Sequence, residues 1–184
     1  MDIRVESERT DELVEELSAV WKASVRATAL SIERVADASE LIAAAAAWFA
    51  DKWDVPADAY AASMEESVAH KDAVPQWLVV RDREAPDEPI VAGCGIIEND
   101  FHDRPDLAPN LCALYVEEPY RGRGLARRLS EVARAEAARL GRDRLYLVTD
   151  HDSFYERCGW EHLGFAHEED GAEVRLYGID TAGV

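Results

Sequence analysis

The sequence predicts an α/β protein with a central mixed sheet flanked by helices. Three observations carry this. Strand-like apolar runs recur at Trp77–Val80, Ile90–Ile97, Leu111–Val116 and Leu145–Val148. An amphipathic stretch from Gly122 to Leu140 lies between the last two of them. Two further short strands close the chain around Asp170-Gly171, a dipeptide that favours a tight hairpin. A strand–helix–strand unit over 111–148 requires parallel strands joined by a right-handed crossover.

Taken in order, Asp2–Val5 reads as a short strand. Thr10-Asp11 can cap a helix with Leu13, Leu17, Val20, Trp21 and Ser24 on one face. Ser39–Trp53 reads as an alanine-rich helix, and Pro56 opens another through Tyr60, Met64 and Val68. Residues 10–70 are therefore expected to be a helical N-terminal part of a single domain spanning 1–184. Pro75 marks the change to strand-rich sequence, and the two prolines in 84–89 mark a turn. Gly93 and Gly95 lie inside an apolar strand, where glycine marks a close approach by another group. Residues 99–110 form a polar loop. Leu125, Leu129, Val132 and Ala133 face inward on the next helix, which Gly141 ends. Ser153–Arg157 predicts a short helix, followed by strands Trp160–Ala166 and Val174–Tyr177.

Composition narrows the function. The formal net charge is -18, which argues against a nucleic-acid partner, because binding phosphates along a strand needs a basic surface. The same charge suits a cationic substrate, or simply solubility. No apolar run is long enough to span a bilayer, so no membrane partner is expected. The start, Met1–Glu6, lacks a basic segment followed by an apolar run, so no secretory leader is expected. Cys94, Cys112 and Cys158 match no metal spacing, and Cys94 and Cys112 read as small core residues. A cytoplasmic location fits these features.

Against this acidic background Arg121, Arg123, Arg127 and Arg128 are crowded into one segment. They overlap Arg121-Gly122-Arg123-Gly124-Leu125-Ala126, between a strand and a helix. A helix start exposes unpaired N–H groups and partial positive charge, both suited to phosphate. Gly122 and Gly124 leave the backbone accessible, and Ala126 is small. A Walker A loop would need a Gly-Lys-Ser/Thr ending, which is missing, and the glycine spacing does not fit a Rossmann fingerprint. On the residues alone, the loop is either a phosphate cradle or a structural turn with solvated arginines.

The motif Arg121-x-x-Gly124-x-Ala126 resembles the Q/R-x-x-G-x-G/A signature of the GNAT superfamily of N-acetyltransferases. The lead-in Leu114-Tyr115-Val116 and Glu-Pro-Tyr, and the later Phe154-Tyr155-Glu156-Arg157-Cys158-Gly159-Trp160-Glu161, resemble the same family in order and separation. The resemblance covers roughly residues 75–178 and implies several things. The parallel fourth and fifth strands splay apart. Acetyl-CoA is the cosubstrate, with no metal. Its pantetheine arm pairs with the backbone of Leu114, Tyr115 and Val116, and its pyrophosphate sits on Arg121, Gly122, Arg123, Gly124, Leu125 and Ala126. Arg127 and Arg128 are within reach of its 3′-phosphate. The run Val148-Thr149-Asp150-His151-Asp152 departs from family members that carry an asparagine there.

Acetyl transfer to an amine needs a base for the ammonium and an acid for the leaving thiolate. Tyr155 matches the family's acid, and an ordinary tyrosine keeps its proton at neutral pH. Glu98, at the end of an apolar strand, is the candidate base, on the expectation that partial burial raises its pKa. Asp100, His102 and His151 are its alternatives. His151 is also a candidate for positioning the donor or the amine. The backbone N–H of Tyr115 or Val116 would polarise the acetyl carbonyl. The expected activity is transfer from acetyl-CoA to a small-molecule amine, or less readily a peptide, by direct attack in a ternary complex. The acceptor pocket is expected along Asn99–Asn110, with Phe101 and His102. The alternative is a non-catalytic acyl-CoA-binding regulator, or a scaffold, for which last Trp21, Trp48 and Trp53 would form an exposed patch; they are expected to be mostly buried instead. A second copy of the chain is a candidate partner.

Overall fold

The computed structural model describes residues 30–182. The expected strand at Asp2–Val5 and the helix from Thr10 lie outside the described residues.

The chain from Leu30 to Arg34 is strand β1, not helix. This corrects the expected helical part over 10–70. Leu30 and Ile32 alternate with Ser31 and Glu33, a period-2 pattern suited to a half-covered edge strand. Helix α1 spans Ile42–Ala50 and helix α2 spans Ala57–Ala69, with Pro56 in extended conformation just ahead of α2. Strands β2 (Gln76–Asp82), β3 (Ile90–Ile97) and β4 (Asn110–Val116) follow. Then come helix α3 (Leu125–Arg139), β5 (Arg144–Thr149), the short helix α4 (Phe154–Arg157), β6 (Glu161–His167) and β7 (Glu173–Asp180).

These strands form one seven-stranded sheet in the order β1-β2-β3-β4-β5-β7-β6. Every neighbouring pair is antiparallel except β4 and β5, which are parallel as the crossover through α3 requires. One face of the sheet takes α3 through Leu129, Ala133 and Ala137, packed with Leu111, Leu145 and Leu147. The other takes α1 and α2 through Phe49, Tyr60 and Met64, packed with Trp77, Val79 and Cys112. Trp48 is half-buried and Trp53 is 40% exposed, while Trp21 lies outside the described residues. No helix among the described residues is long and apolar enough to cross a membrane.

The glycines of β3 mark close approaches. A Cβ at Gly93 would lie 2.7 Å from Phe49, and one at Gly95 would lie 2.6 Å from Trp77. Both neighbours are packed core rings, so neither yields cheaply. Gly95→Ala is expected to cost about 1–3 kcal/mol. A thermal melt should show a fall of roughly 3–10 °C.

Helix α3 starts later than periodicity predicts. Gly122 (φ +74°) and Gly124 (φ +78°) hold the chain in left-handed conformation before it. Its end is as expected: Gly141 is left-handed, and the Gly141 and Arg142 amides close back onto Ala138 and Ala137.

Candidate active site

Between β4 and β5 the sheet opens. The two strands share only the Asn110–Tyr146 register, supported by the Tyr146 amide donating to the Pro109 carbonyl at 3.0 Å. Beyond that point they part. A bulge promotes the parting: Gly93 faces Tyr115 and Gly95 faces Cys112, so Ala113 and Leu114 together oppose Cys94, with Ala113 at φ +51°.

Strand alternation then decides which backbone groups face the opening. The Glu117 amide bonds the Val91 carbonyl on β3, and Tyr115 pairs with Gly93. Tyr115 therefore spends its main chain on β3, while Leu114 and Val116 point theirs towards the gap. This corrects the expectation that the Tyr115 backbone pairs with the donor or polarises its carbonyl. The Tyr115 ring instead packs edge-on to Trp48, with the Arg121 guanidinium 5.3 Å from its centre.

The gap leads to the start of α3, whose N–H groups are open. Among the described residues, the amides of Gly122, Arg123, Gly124, Leu125, Ala126 and Arg127 donate to no protein acceptor. The helix cap is Gly124, and no side chain caps it. The loop arginines behave differently from expectation. Arg121 Nε donates to the Val116 carbonyl at 2.9 Å, and Arg123 donates to the Pro119 carbonyl at 3.1 Å while lying over the Tyr120 ring. Both therefore brace the loop from within. Arg127 and Arg128 are exposed and share Glu131, at 3.1 and 3.5 Å. The four cations supply positive potential around a ring of free amides.

Tyr155 stands on α4, 7% exposed among Phe154, Trp160 and Tyr177. Burial pushes its phenol well above the ordinary tyrosine range. Its hydroxyl has no hydrogen-bond partner among the described residues.

The acceptor side departs from expectation. Glu98 is 56% exposed and bound to Arg142 at 2.6 Å, so it lacks the burial expected of it and its carboxylate is already engaged. His102 is 7% exposed and fully engaged: Nδ1 accepts from the Arg104 amide at 3.1 Å, which leaves Nε2 to donate to Asn110 Oδ1 at 2.8 Å. A histidine with both nitrogens in use is no free base. His151 is exposed just beyond β5, where its amide bonds Thr149 Oγ1 at 3.1 Å.

Asp100 fits better. Desolvation, with the nearby Glu168 carboxylate, pushes its carboxyl up to about 6. No hydrogen bond or ion pair holds that carboxyl among the described residues. Its charge helps to raise the hydroxyls of Tyr60 and Tyr155 and the thiol of Cys112. Tyr60 and Cys112 pack with the core on the α1–α2 face of the sheet and Tyr155 with the core on the α3 face, so the Asp100 charge is felt on both sides. Tyr60 and Asn110 were not legible as site residues. The one hint was Asn110, a polar residue at the head of an apolar strand.

Residues 75–162 match the acetyltransferase (GNAT) domain family. No curated protein matches the chain significantly. Among solved structures, the ribosomal-protein-S5-alanine acetyltransferase from Vibrio fischeri superposes with a TM-score of 0.61 at 14% identity, covering 84% of this chain and 94% of its own. A Salmonella typhimurium protein described as an acetyltransferase, solved with its cofactor acetyl-CoA, gives 0.57 at 14% identity over 84% and 95%. An N-acetyltransferase from Staphylococcus aureus gives 0.56 at 14% identity over 83% and 98%. These likenesses concern the fold. The parted strands, the open-amide loop and the match of residues 75–162 to the GNAT acetyltransferase domain family coincide in one region.

Proposed function

We propose that this protein is an acetyl-CoA-dependent N-acetyltransferase that modifies a small-molecule amine in a ternary complex. The observation that carries the reading is the gap between β4 and β5, with free amides where α3 begins and an open β4 edge along it; the desolvated Asp100 carboxyl and the buried Tyr155 phenol support the choice of base and acid. The diphosphate of the donor binds the amides of residues 122–127, and its pantetheine amides pair with Leu114 and Val116 as an added strand. The Val116 N–H stabilises the oxyanion.

Asp100, rather than Glu98, takes the proton of the incoming ammonium. The free amine attacks the thioester carbon, the C–S bond breaks as the Tyr155 hydroxyl protonates the departing sulfur, and the proton shed by the newly acylated nitrogen restores the phenol. Burial weakens that phenol as an acid, but the same surroundings make a thiolate more basic, so proton transfer stays matched. The acidic chain and the Asp100–Glu168 pair favour a cationic acceptor. Three free cysteines, two of them buried, support a cytoplasmic setting.

A free-thiol assay over an amine panel tests the reading. Amine-dependent thiol release is expected. Donor binding without release for any amine would favour a non-catalytic acyl-CoA-binding protein. Tyr155→Phe is expected to lower kcat by roughly 10- to 100-fold while leaving acetyl-CoA affinity nearly unchanged. Unchanged turnover would remove Tyr155 from the chemistry.

A further inference from the structure

The turn that carries Asp100 is held in a conformation its sequence does not favour. Phe101 is left-handed at φ +57°, with its ring 57% exposed. A bulky residue adopts that conformation only where its surroundings impose it. Here the surroundings are specific. Asn99 Nδ2 donates to the His102 carbonyl and Asn99 Oδ1 accepts the His102 amide, both at 3.1 Å. His102 is in turn tied to the Arg104 amide and to Asn110. Asn110 is fully buried and donates to the Glu98 carbonyl at 3.1 Å and the Leu107 carbonyl at 2.9 Å. Both ends of the turn are thereby fixed to the head of β4. An Asn-to-main-chain clasp alone would close the turn. The buried imidazole and amide add a second, rigid tie to the strand that lines the gap.

We propose that His102 is a positioning residue: with Asn99 and Asn110 it locks the left-handed turn that carries Asp100 and so fixes where the Asp100 carboxylate stands relative to the head of β4. The proposal rests on the reading of Asp100 as the base. The titratable groups electrostatically coupled to Asp100 are Glu168 beyond β6, Tyr60 on α2, Cys112 on β4 and Tyr155 on α4. His102 reaches none of the reacting atoms, because both its ring nitrogens are engaged elsewhere.

The test compares His102→Ala, His102→Gln, Asn99→Ala and Asp100→Asn in the full chain. It reads acetyl-CoA affinity by calorimetry, and kcat and the pH profile of kcat/KM by thiol release. His102→Ala is expected to hold donor affinity within about twofold and to lose kcat by roughly 10- to 100-fold, the scale of a 1 Å misplacement. Its acid-side inflection should move below the wild-type value of about 6, because a loosened turn exposes Asp100 to water. His102→Gln retains a donor for Asn110 and should recover part of the lost rate. If His102→Ala does not fold, Asn99→Ala carries the same expectation. An unmoved inflection in the folded variants, or a parallel loss of donor affinity, overturns the positioning role. Asp100→Asn separates the two claims. If it retains activity and the inflection, the base reading fails. If it abolishes both while His102→Ala behaves as wild type, only the positioning role fails.

Discussion

Asp100→Asn is expected to lower kcat for amine acetylation by about 10²-fold or more, the usual contribution of a positioned base. In the wild type, kcat/KM should rise with pH through about 6, as the carboxyl loses its proton, and then level off. The variant should lack that rise. Its stability should change in the opposite sense to its activity. The folded-state pKa of Asp100 lies above the ordinary 3.8, so the fold favours the neutral acid. Its contribution is fully present below pH 3.8 and is lost as the pH climbs through about 6. At pH 7 the native protein carries a desolvated charge that asparagine would remove. The variant should therefore be more stable at pH 7, by on the order of 1 kcal/mol, and show no such gain at pH 4. Thermal melts at the two pH values check the sign. A variant that is slower and more stable is the signature of a group kept for chemistry rather than for folding.

Gly124→Val is expected to weaken acetyl-CoA binding by at least about tenfold, with little change in amine KM. The position is left-handed at φ +78° and is the cap of α3. No atom lies within 4 Å of an added Cβ, so the cost does not come from crowding by the protein. It comes from the backbone: a β-branched residue strains at positive φ by about 1–3 kcal/mol. In the proposed binding mode, relief of that strain turns the adjacent amides away from a common point, and the added side chain stands in the path of the diphosphate. Calorimetry with acetyl-CoA measures the loss. Gly141→Val, at the far end of the same helix and also left-handed, is the matched control and should leave donor affinity unaltered.

The elements legible in the sequence are those whose signal is local. Ile90–Ile97 is an unbroken apolar run bounded by turns, and it is a strand with those limits. Gly141 follows the last inward residue of a long periodic stretch and ends the helix. Strand β1 had a signal as well, in the alternation of Leu30 and Ile32, but it sat between stretches that read as helix. The details that govern the site are less local. Ala113 has no intrinsic preference for φ +51°, so the bulge that turns Leu114 and Val116 towards the gap leaves no trace in residue type. Without the bulge, Tyr115 and Val116 cannot be told apart as backbone partners. Glu98 and Asp100 are two residues apart and chemically alike. Glu98 is exposed and paired with Arg142 while Asp100 is desolvated, in a turn held by a left-handed phenylalanine and a histidine–asparagine contact spanning eight positions, a long-range fact that composition and periodicity do not encode.

In the proposed function, unpaired main-chain amides at the start of α3 hold the donor's diphosphate and aim its thioester into the gap between β4 and β5. A backbone-amide NMR titration with acetyl-CoA tests it most directly. The largest shifts should fall on Gly122, Arg123, Gly124, Leu125, Ala126 and Arg127, with a second set on Leu114 and Val116 and little change at Tyr115. Saturable binding that leaves residues 122–127 unperturbed would contradict the account.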